Sequence, residues 1–194
     1  VGLLLAAYAG VAVVAAGLSA ALGRDPTSCE AWLGTRGAAG ALLSLGLGVC
    51  AGSITVAVSR VMVRRAGWAR ALHAALRPTV RDAGDAWLFA IALASAAGEE
   101  LLFRGLLVPV VGVVASSVVF GALHQIRGRA RWGWMGWATV MGLVFGCMFA
   151  ATGSLLGPIV AHAIVNGANL RFLRDNDPAP RRRPLGGLLR RDPL

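Results

Sequence analysis

Long apolar stretches, each able to form a membrane-spanning helix, constrain the fold of this chain more than any other feature. A helix needs about 20 mostly apolar residues to cross roughly 30 Å of hydrocarbon. The 194 residues are 57% hydrophobic and only 14% charged, whereas about 25% of the residues in a soluble domain are charged. The sequence therefore predicts an all-α, polytopic transmembrane helical bundle of about six spans: residues 1–22, Gly37–Val63, Ala86–Val108, Pro109–Gln125, Trp132–Thr152 and Ser154–Leu173.

The net charge of +10 comes from arginines that lie between the apolar stretches. They concentrate in residues 60–81, in residues 127–131 and in the tail from Arg171 onward. Because loops rich in basic residues stay in the cytoplasm, both termini are predicted to be cytoplasmic. We expect an integral protein of a bacterial inner (cell) membrane that contacts membrane lipids and binds no nucleic acid.

The chain divides into three predicted parts. Residues 1–85 contain two transmembrane helices and a basic linker, in which Trp68, Leu72, Ala75 and Leu76 follow the spacing of an amphipathic helix. An ordinary solvated loop is the alternative for that linker. Residues 86–173 form a helical core, and the Arg- and Pro-rich residues 174–194 are predicted to be disordered.

Ionisable and amide side chains inside the later spans point to function. On insertion scales, a charged residue at the centre of a span costs about 2.5–3.5 kcal/mol, so such groups are usually paired or functional. The first two spans contain no comparable group. The polar residues of the core are Glu99, Glu100, Arg104, His124, His162 and Asn166.

The spacing of these residues indicates different roles. Glu100 and Arg104 are four residues apart on one helix face, where they can form an ion pair. Glu99 projects about 100° away from Glu100 and is left as a candidate general base. His162 and Asn166 are also four residues apart and can donate to a developing oxyanion. This set of groups suits hydrolysis of an amide.

One mismatch concerns depth in the membrane. Glu99 lies well inside the third predicted span, whereas His124 lies at the far end of the fourth. Either the two helices are tilted and offset, or one of them is re-entrant.

Three motifs occur in order on consecutive predicted helices: Glu99-Glu100-x-x-x-Arg104, Phe120-x-x-x-His124 and His162-x-x-x-Asn166. This pattern resembles the CPBP family of CAAX prenyl proteases and bacteriocin-processing proteins, also called Abi or glutamic-type intramembrane proteases. The resemblance covers about residues 95–170. It is specific for the family and says little about the substrate.

The resemblance implies a CAAX protease-like membrane endopeptidase with defined roles for its polar residues. Glu99 would activate the attacking water with help from His124, while His162 and Asn166 would form the oxyanion site. Glu100 and Arg104 would be supporting residues. We expect protein or peptide substrates, matured as bacteriocins or cleaved at a C-terminal sorting or leader sequence, rather than prenylated ones.

Two further questions stay open at this stage. The family has also been described as metalloproteases, and Glu99, His124 and His162 could supply three zinc ligands. We favour catalysis without a metal cofactor, with zinc as the alternative. The competing functions are a non-catalytic immunity or scaffold protein of the same fold, and a small proton-coupled transporter.

Overall fold

Seven α-helices account for most of the chain in a computed structural model that describes residues 2–177. No β-strand occurs within those residues, which confirms the predicted all-α class. A 3-10 turn at Arg77–Thr79 follows α3, and a π-helical segment at Leu101–Leu107 joins α4 to α5. The helices are α1 Gly2–Ala21, α2 Gly37–Arg65, α3 Gly67–Leu76, α4 Asp85–Glu100, α5 Val108–Leu123, α6 Ala130–Thr152 and α7 Leu156–Asp175.

The outer surface of the bundle is strongly apolar. Four segments are long and apolar enough to cross a membrane, namely α1, α2, α6 and the stretch Asp85–Leu123. Leucine and valine side chains such as Leu3 and Val114, which are 86% and 67% exposed, point outward from the bundle. Such a surface requires lipid around it. The chain is therefore an integral membrane protein.

The third and fourth predicted spans form a hairpin whose turn is at Gly112. A straight helix over the 39 residues of Asp85–Leu123 would be about 58 Å long, nearly twice the hydrocarbon thickness. Gly112 has φ +83° and breaks the helix there, since this backbone region favours glycine. The Ser116 hydroxyl donates to the Phe103 carbonyl at 2.8 Å, and the Phe103 and Phe120 rings pack 4.9 Å apart. The two arms thus run antiparallel.

This turn corrects the predicted boundary between Val108 and Pro109. Pro109 directly follows the π-helical segment, and the backbone stays helical through it as far as Gly112, so it does not end the span. Glu99 lies 13 residues before Gly112, and His124 lies 12 residues after it. The two side chains therefore reach the same depth, and the mismatch inferred from the sequence disappears.

Small residues bring α2 and α7 into close contact. A Cβ at Gly48 would overlap the backbone of Gly157, and one at Gly52 would lie 3.1 Å from Ala161. The Ser44 hydroxyl donates to the Ser154 carbonyl and accepts from the Gly157 N–H, both at 2.9 Å. Small residues and hydroxyl groups of this kind are the usual contacts between membrane helices. They fix the position of α7, which carries His162.

The predicted amphipathic linker helix is present as α3, with one correction to its apolar face. Trp68 and Leu72 lie on the packed side, where Trp68 contacts Gly133 of α6. Ala75 is exposed, and the buried positions are Ala69 and His73 instead.

The sixth predicted span is also shifted in the structure, and the predicted tail is only partly described. Helix α7 begins at Leu156 and continues to Asp175, two residues into the segment 174–194 that was predicted to be disordered. Because it carries several polar residues, α7 is not among the segments apolar enough to span by composition. Residues 178–194 of that tail lie outside the described part of the chain.

The two ends of the bundle differ in charge. At one end, the Cys29 N–H donates to the Gly153 carbonyl, and Arg24 donates to the Pro109 carbonyl next to the Gly112 turn. At the other end lie the basic residues 60–81 together with the start of α6 and the end of α7. The basic loops thus lie together at one end of the bundle, as the positive-inside rule requires. That this end faces the cytoplasm stays a prediction.

Candidate active site

The charged residues of the core meet where α4, α5 and α7 approach one another. Glu99 and Glu100 form the last residues of α4, Arg104 lies in the π-helical segment, His124 directly follows α5, and His162 projects from α7. The structure brings these five side chains into one cluster. π-Helical segments are frequent at functional sites.

Glu100 is the centre of a buried network. Its Oε1 atom accepts from Arg104 Nη1 at 2.9 Å and from His162 Nδ1 at 2.7 Å. The Glu100 and Arg104 side chains are 0% and 1% exposed. The guanidinium also lies over the Phe120 ring, 4.6 Å from its centroid. The negative charge of the Glu100 carboxylate is thus compensated by two hydrogen-bond donors. A buried charge needs such partners because it has lost its contact with water.

These contacts define which nitrogen of each histidine faces the site. A carboxylate paired with Arg104 can only accept, so His162 donates from Nδ1 and presents Nε2. The Phe120 carbonyl can likewise only accept, so His124 donates to it from Nδ1 at 2.7 Å. The His124 ring is further held by Trp134, whose ring centroid is 5.4 Å away. Both imidazoles therefore present Nε2 to the centre of the cluster.

Glu99 faces these two Nε2 atoms. Its Oε2 lies 3.8 Å from His124 Nε2 and 3.9 Å from His162 Nε2. This oxygen is buried and has no hydrogen-bond partner within the described residues. Separations beyond 3.5 Å are too long for direct hydrogen bonds between these groups. The Glu99 side chain as a whole is 16% exposed, against 0% for Glu100.

Asn166 and Asn169 occupy the same helix as His162 but contact different partners. Asn166 Nδ2 donates to the Ser95 hydroxyl of α4 at 2.9 Å. Because an amide nitrogen carries two hydrogens, one donor remains for another acceptor. Asn169 accepts from Arg60 Nη1 of α2 at 2.7 Å, which is a helix-packing contact.

Tyr8 and Ser95 belong to the site and were missed by sequence reasoning. The Tyr8 hydroxyl lies near the Glu99 carboxylate and interacts with it electrostatically. Gly98 permits this contact, because a Cβ there would lie 2.8 Å from the Tyr8 backbone oxygen. The available signal was that Tyr8 is the only tyrosine of the chain and lies inside an apolar span.

The donor types at the site would suit zinc, and they lie somewhat farther apart than the ligands of a bound zinc ion. Tetrahedral ligands with bonds of about 2.0–2.1 Å lie roughly 3.4 Å apart. The Glu99 to imidazole separations of 3.8 and 3.9 Å are wider than that. Within residues 2–177, no three His, Cys, Asp or Glu side chains converge into a metal-binding group.

Comparison with known proteins shows what the core is similar to. Residues 85–168 match the family model described as type II CAAX prenyl endopeptidase Rce1-like. An uncharacterised protein of Bacillus subtilis (strain 168), YpbD, is 36% identical over 76 residues, which cover 39% of this chain and 40% of that protein. No solved structure gives a significant match. The family resemblance seen in the three motifs is thus confirmed, and residues 85–168 carry an Rce1-like domain.

Proposed function

We propose that this chain is an intramembrane endopeptidase that hydrolyses peptide bonds of membrane-associated proteins or peptides. The observation that carries the proposal is the position of Glu99 Oε2 between the Nε2 atoms of His124 and His162. A carboxylate oxygen with no partner of its own is suited to accept a proton from water. The Rce1-like domain supports the same type of reaction.

In the proposed first step, water attacks the substrate carbonyl. Glu99 takes one proton while the water oxygen forms a bond to the carbonyl carbon. His124 Nε2 carries a lone pair, because Nδ1 donates to the Phe120 carbonyl. It therefore orients the water by accepting a hydrogen bond from the second proton. The carbonyl electron pair moves onto oxygen and gives a tetrahedral oxyanion.

His162 and Asn166 are proposed to stabilise this oxyanion. His162 can donate from Nε2 only when its ring carries a second proton, and the adjacent Glu100 carboxylate compensates that charge. Asn166 contributes the N–H that Ser95 does not use. One donor of this kind is worth about 2.7–4 kcal/mol of transition-state stabilisation.

The last step releases the amine. The carbon–nitrogen bond breaks, and the proton held by Glu99 passes to the leaving nitrogen, which restores the carboxylate. The oxyanion re-forms the carbonyl as this bond breaks, so one water proton leaves with the amine and the other stays on the new carboxyl group until it is lost to solvent. We therefore propose catalysis without a metal ion, in keeping with the wide spacing of the site.

For the substrates, we propose proteins or peptides that carry a C-terminal sorting signal or a leader sequence. The test compares the N- and C-termini of membrane and secreted proteins in cells with wild-type protein or with Glu99→Gln. New termini should appear only with the wild-type protein. A substrate found in this way is then assayed with purified protein, where Glu99→Gln should lower kcat by about 10²- to 10⁴-fold.

The chain offers a matched control for this experiment. Glu30 is an exposed glutamate between α1 and α2, so Glu30→Gln makes the same chemical change away from the site. It should cleave at the wild-type rate. Cleavage by Glu99→Gln at that rate would refute the assignment of the base. Identical termini with wild type and Glu99→Gln would favour the non-catalytic scaffold instead.

A further inference from the structure

A cavity of about 100 Å³ lies at the basic end of the bundle, between α2, α3, α6 and α7. Aromatic side chains form much of its wall, among them Trp68 of α3 and Trp134 and Trp137 of α6. Of its lining residues, Ala69 and His73 are buried and the others are only partly buried. The cavity therefore opens to the outside of the bundle, where a ligand can enter it.

The cavity lies at the depth of the membrane–water interface. The apolar helix α2 ends with Arg64 and Arg65, and the extended backbone of Ala66 (φ −102°, ψ 126°) turns the chain into α3. A short amphipathic helix that directly follows a span lies in the headgroup region of the bilayer. Tryptophan is enriched at the same depth, and three of the chain's six tryptophans line the cavity. Lipid molecules are therefore the immediate surroundings of its opening.

Three arginines, Arg60, Arg64 and Arg70, lie where α2 meets α3, and we call them the arginine corner. Arg60 lines the cavity and lies four residues before Arg64, on the same helix face. Arg70 Nη1 donates to the Arg64 carbonyl at 2.9 Å. Arg60 donates to the Asn169 amide oxygen at 2.7 Å and to a backbone carbonyl at 2.8 Å, and it lies 3.9 Å from the Phe172 ring centroid. All of these partners are neutral, so these contacts leave the positive charges uncompensated.

The carboxylates at this end of the bundle are paired with other arginines. Asp82 accepts from Arg81 at 3.0 Å, and Asp85 accepts from Arg174 at 2.7 Å. Within residues 2–177, no carboxylate forms an ion pair with the arginine corner. An anionic headgroup would supply the missing negative charge. A zwitterionic headgroup also carries an ammonium group, which would find no carboxylate partner there.

We infer that the cavity and the arginine corner form a binding site for one anionic phospholipid of the surrounding membrane. Its phosphate would lie at the arginine corner and a segment of one acyl chain in the cavity. Apolar cavities of roughly 150 Å³ bind a molecule such as benzene, so about 100 Å³ suits a short hydrocarbon segment. The rest of the chain would continue along the apolar outer surface of the bundle. This inference goes beyond the proposed peptidase function and does not depend on it.

The experiment places the purified full chain in phosphatidylcholine vesicles with increasing mole fractions of phosphatidylglycerol that is brominated on its acyl chains. Bromine quenches tryptophan fluorescence on contact, so the tryptophans of the cavity report the bound lipid. Quenching should be half-maximal at a mole fraction at least about tenfold lower for brominated phosphatidylglycerol than for brominated phosphatidylcholine. An excess of glycerol 3-phosphate, which carries the phosphate without acyl chains, should not reverse the quenching.

Substitutions in the arginine corner test the headgroup contact. Arg64→Gln and Arg70→Gln change exposed side chains, so both variants should keep the wild-type Tm. Each should raise the half-maximal mole fraction of phosphatidylglycerol about fivefold, which is the contribution of one basic residue near an anionic membrane surface. Arg81→Gln is the matched control, because Arg81 lies at the same end, is 60% exposed and is already paired with Asp82. Its quenching curve should be that of the wild-type protein.

Substitutions of single tryptophans test the position of the acyl chain. Trp68→Phe and Trp137→Phe should each reduce the quenching that is specific to phosphatidylglycerol. Trp32→Phe, at a residue between α1 and α2 that is 68% exposed, should leave it unchanged.

Three results would overturn the inference. Equal half-maximal mole fractions for the two brominated lipids would show that the cavity does not select an anionic headgroup. Equal weakening by Arg81→Gln and Arg64→Gln would indicate diffuse attraction to the membrane surface instead of a site. Reversal of the quenching by glycerol 3-phosphate would show that the ligand is a soluble phosphate ester.

Discussion

Replacing Arg104 with alanine should destabilise the fold through the buried Glu100 network. Arg104 supplies one of the two donors to Glu100 Oε1, at 2.9 Å, and the side chains of both residues are at most 1% exposed. The variant also loses the contact of the guanidinium with Phe120. The buried Glu100 carboxylate would then have His162 as the one remaining donor to its Oε1. We expect poor folding and low abundance.

The expected loss of stability follows from the burial of the Glu100–Arg104 ion pair. Removing one partner of a fully buried ion pair costs about 3–5 kcal/mol, because the other charge is left uncompensated. For a chain of this size, 1 kcal/mol shifts the melting temperature by about 2–4 °C, so Arg104→Ala should lower Tm by roughly 6–20 °C. The double variant Glu100→Gln, Arg104→Gln removes both charges, so its Tm should fall less than that of Arg104→Ala.

The assay is thermal unfolding of purified variants in one detergent, followed by intrinsic tryptophan fluorescence. Glu99→Gln is the comparison, since Glu99 is not part of the ion pair and its replacement should leave Tm near the wild-type value. An Arg104→Ala protein that melts within about 2 °C of wild type would refute the assigned energetics of the pair.

Four further outcomes are expected. Tyr8→Phe removes the hydroxyl nearest Glu99 and should lower kcat by about tenfold at unchanged KM and Tm, whereas a fall in Tm together with kcat would indicate a purely structural role. Gly48→Leu would force α2 away from Gly157, so Tm and activity should fall together, as melting and cleavage assays would show. Elemental analysis of purified protein should find no stoichiometric zinc, and a strong chelator should leave cleavage unchanged; zinc-dependent recovery after chelation would contradict metal-independent catalysis. Reporter fusions after Arg81 and at the C-terminus should read as cytoplasmic, and one after Gly34 as external, whereas an external C-terminus would break the six-span arrangement.

The class of fold and the cluster of polar residues could be predicted from the sequence because both depend on local signals. Apolar stretches of helical length mark the spans, and buried charges in a membrane are costly enough to stand out. The separation of Glu99 from Glu100 followed from helical geometry alone. Their different surroundings in the structure agree with it, since Glu100 contacts Arg104 and His162 while Glu99 faces both imidazoles.

Tertiary relations were harder to predict. Pro109 is the stronger helix breaker by residue type, yet the backbone stays helical through it. The hairpin turns at Gly112 instead, because φ +83° is a conformation that glycine adopts readily. The contact of Tyr8 with Glu99 joins residues 91 positions apart and has no periodic signature. The hydrogen bond between His162 and Glu100 likewise depends on how α7 packs against α4. The spacing of residues along one sequence does not predict this packing.

Two adjacent glutamates can have different roles here because their burial and partners differ. Both carboxylates have an Oε2 atom without a hydrogen-bond partner within residues 2–177, so a free oxygen alone does not distinguish them. Glu100 is 0% exposed, and its Oε1 is held by a guanidinium and an imidazole, so substrate cannot contact this carboxylate. The Glu99 side chain is 16% exposed, and its Oε2 lies beyond hydrogen-bond distance of both imidazoles, so no protein group occupies this oxygen within residues 2–177. The same geometry gives Glu100 a positioning role, since its bond to His162 Nδ1 turns Nε2 toward the reacting atoms.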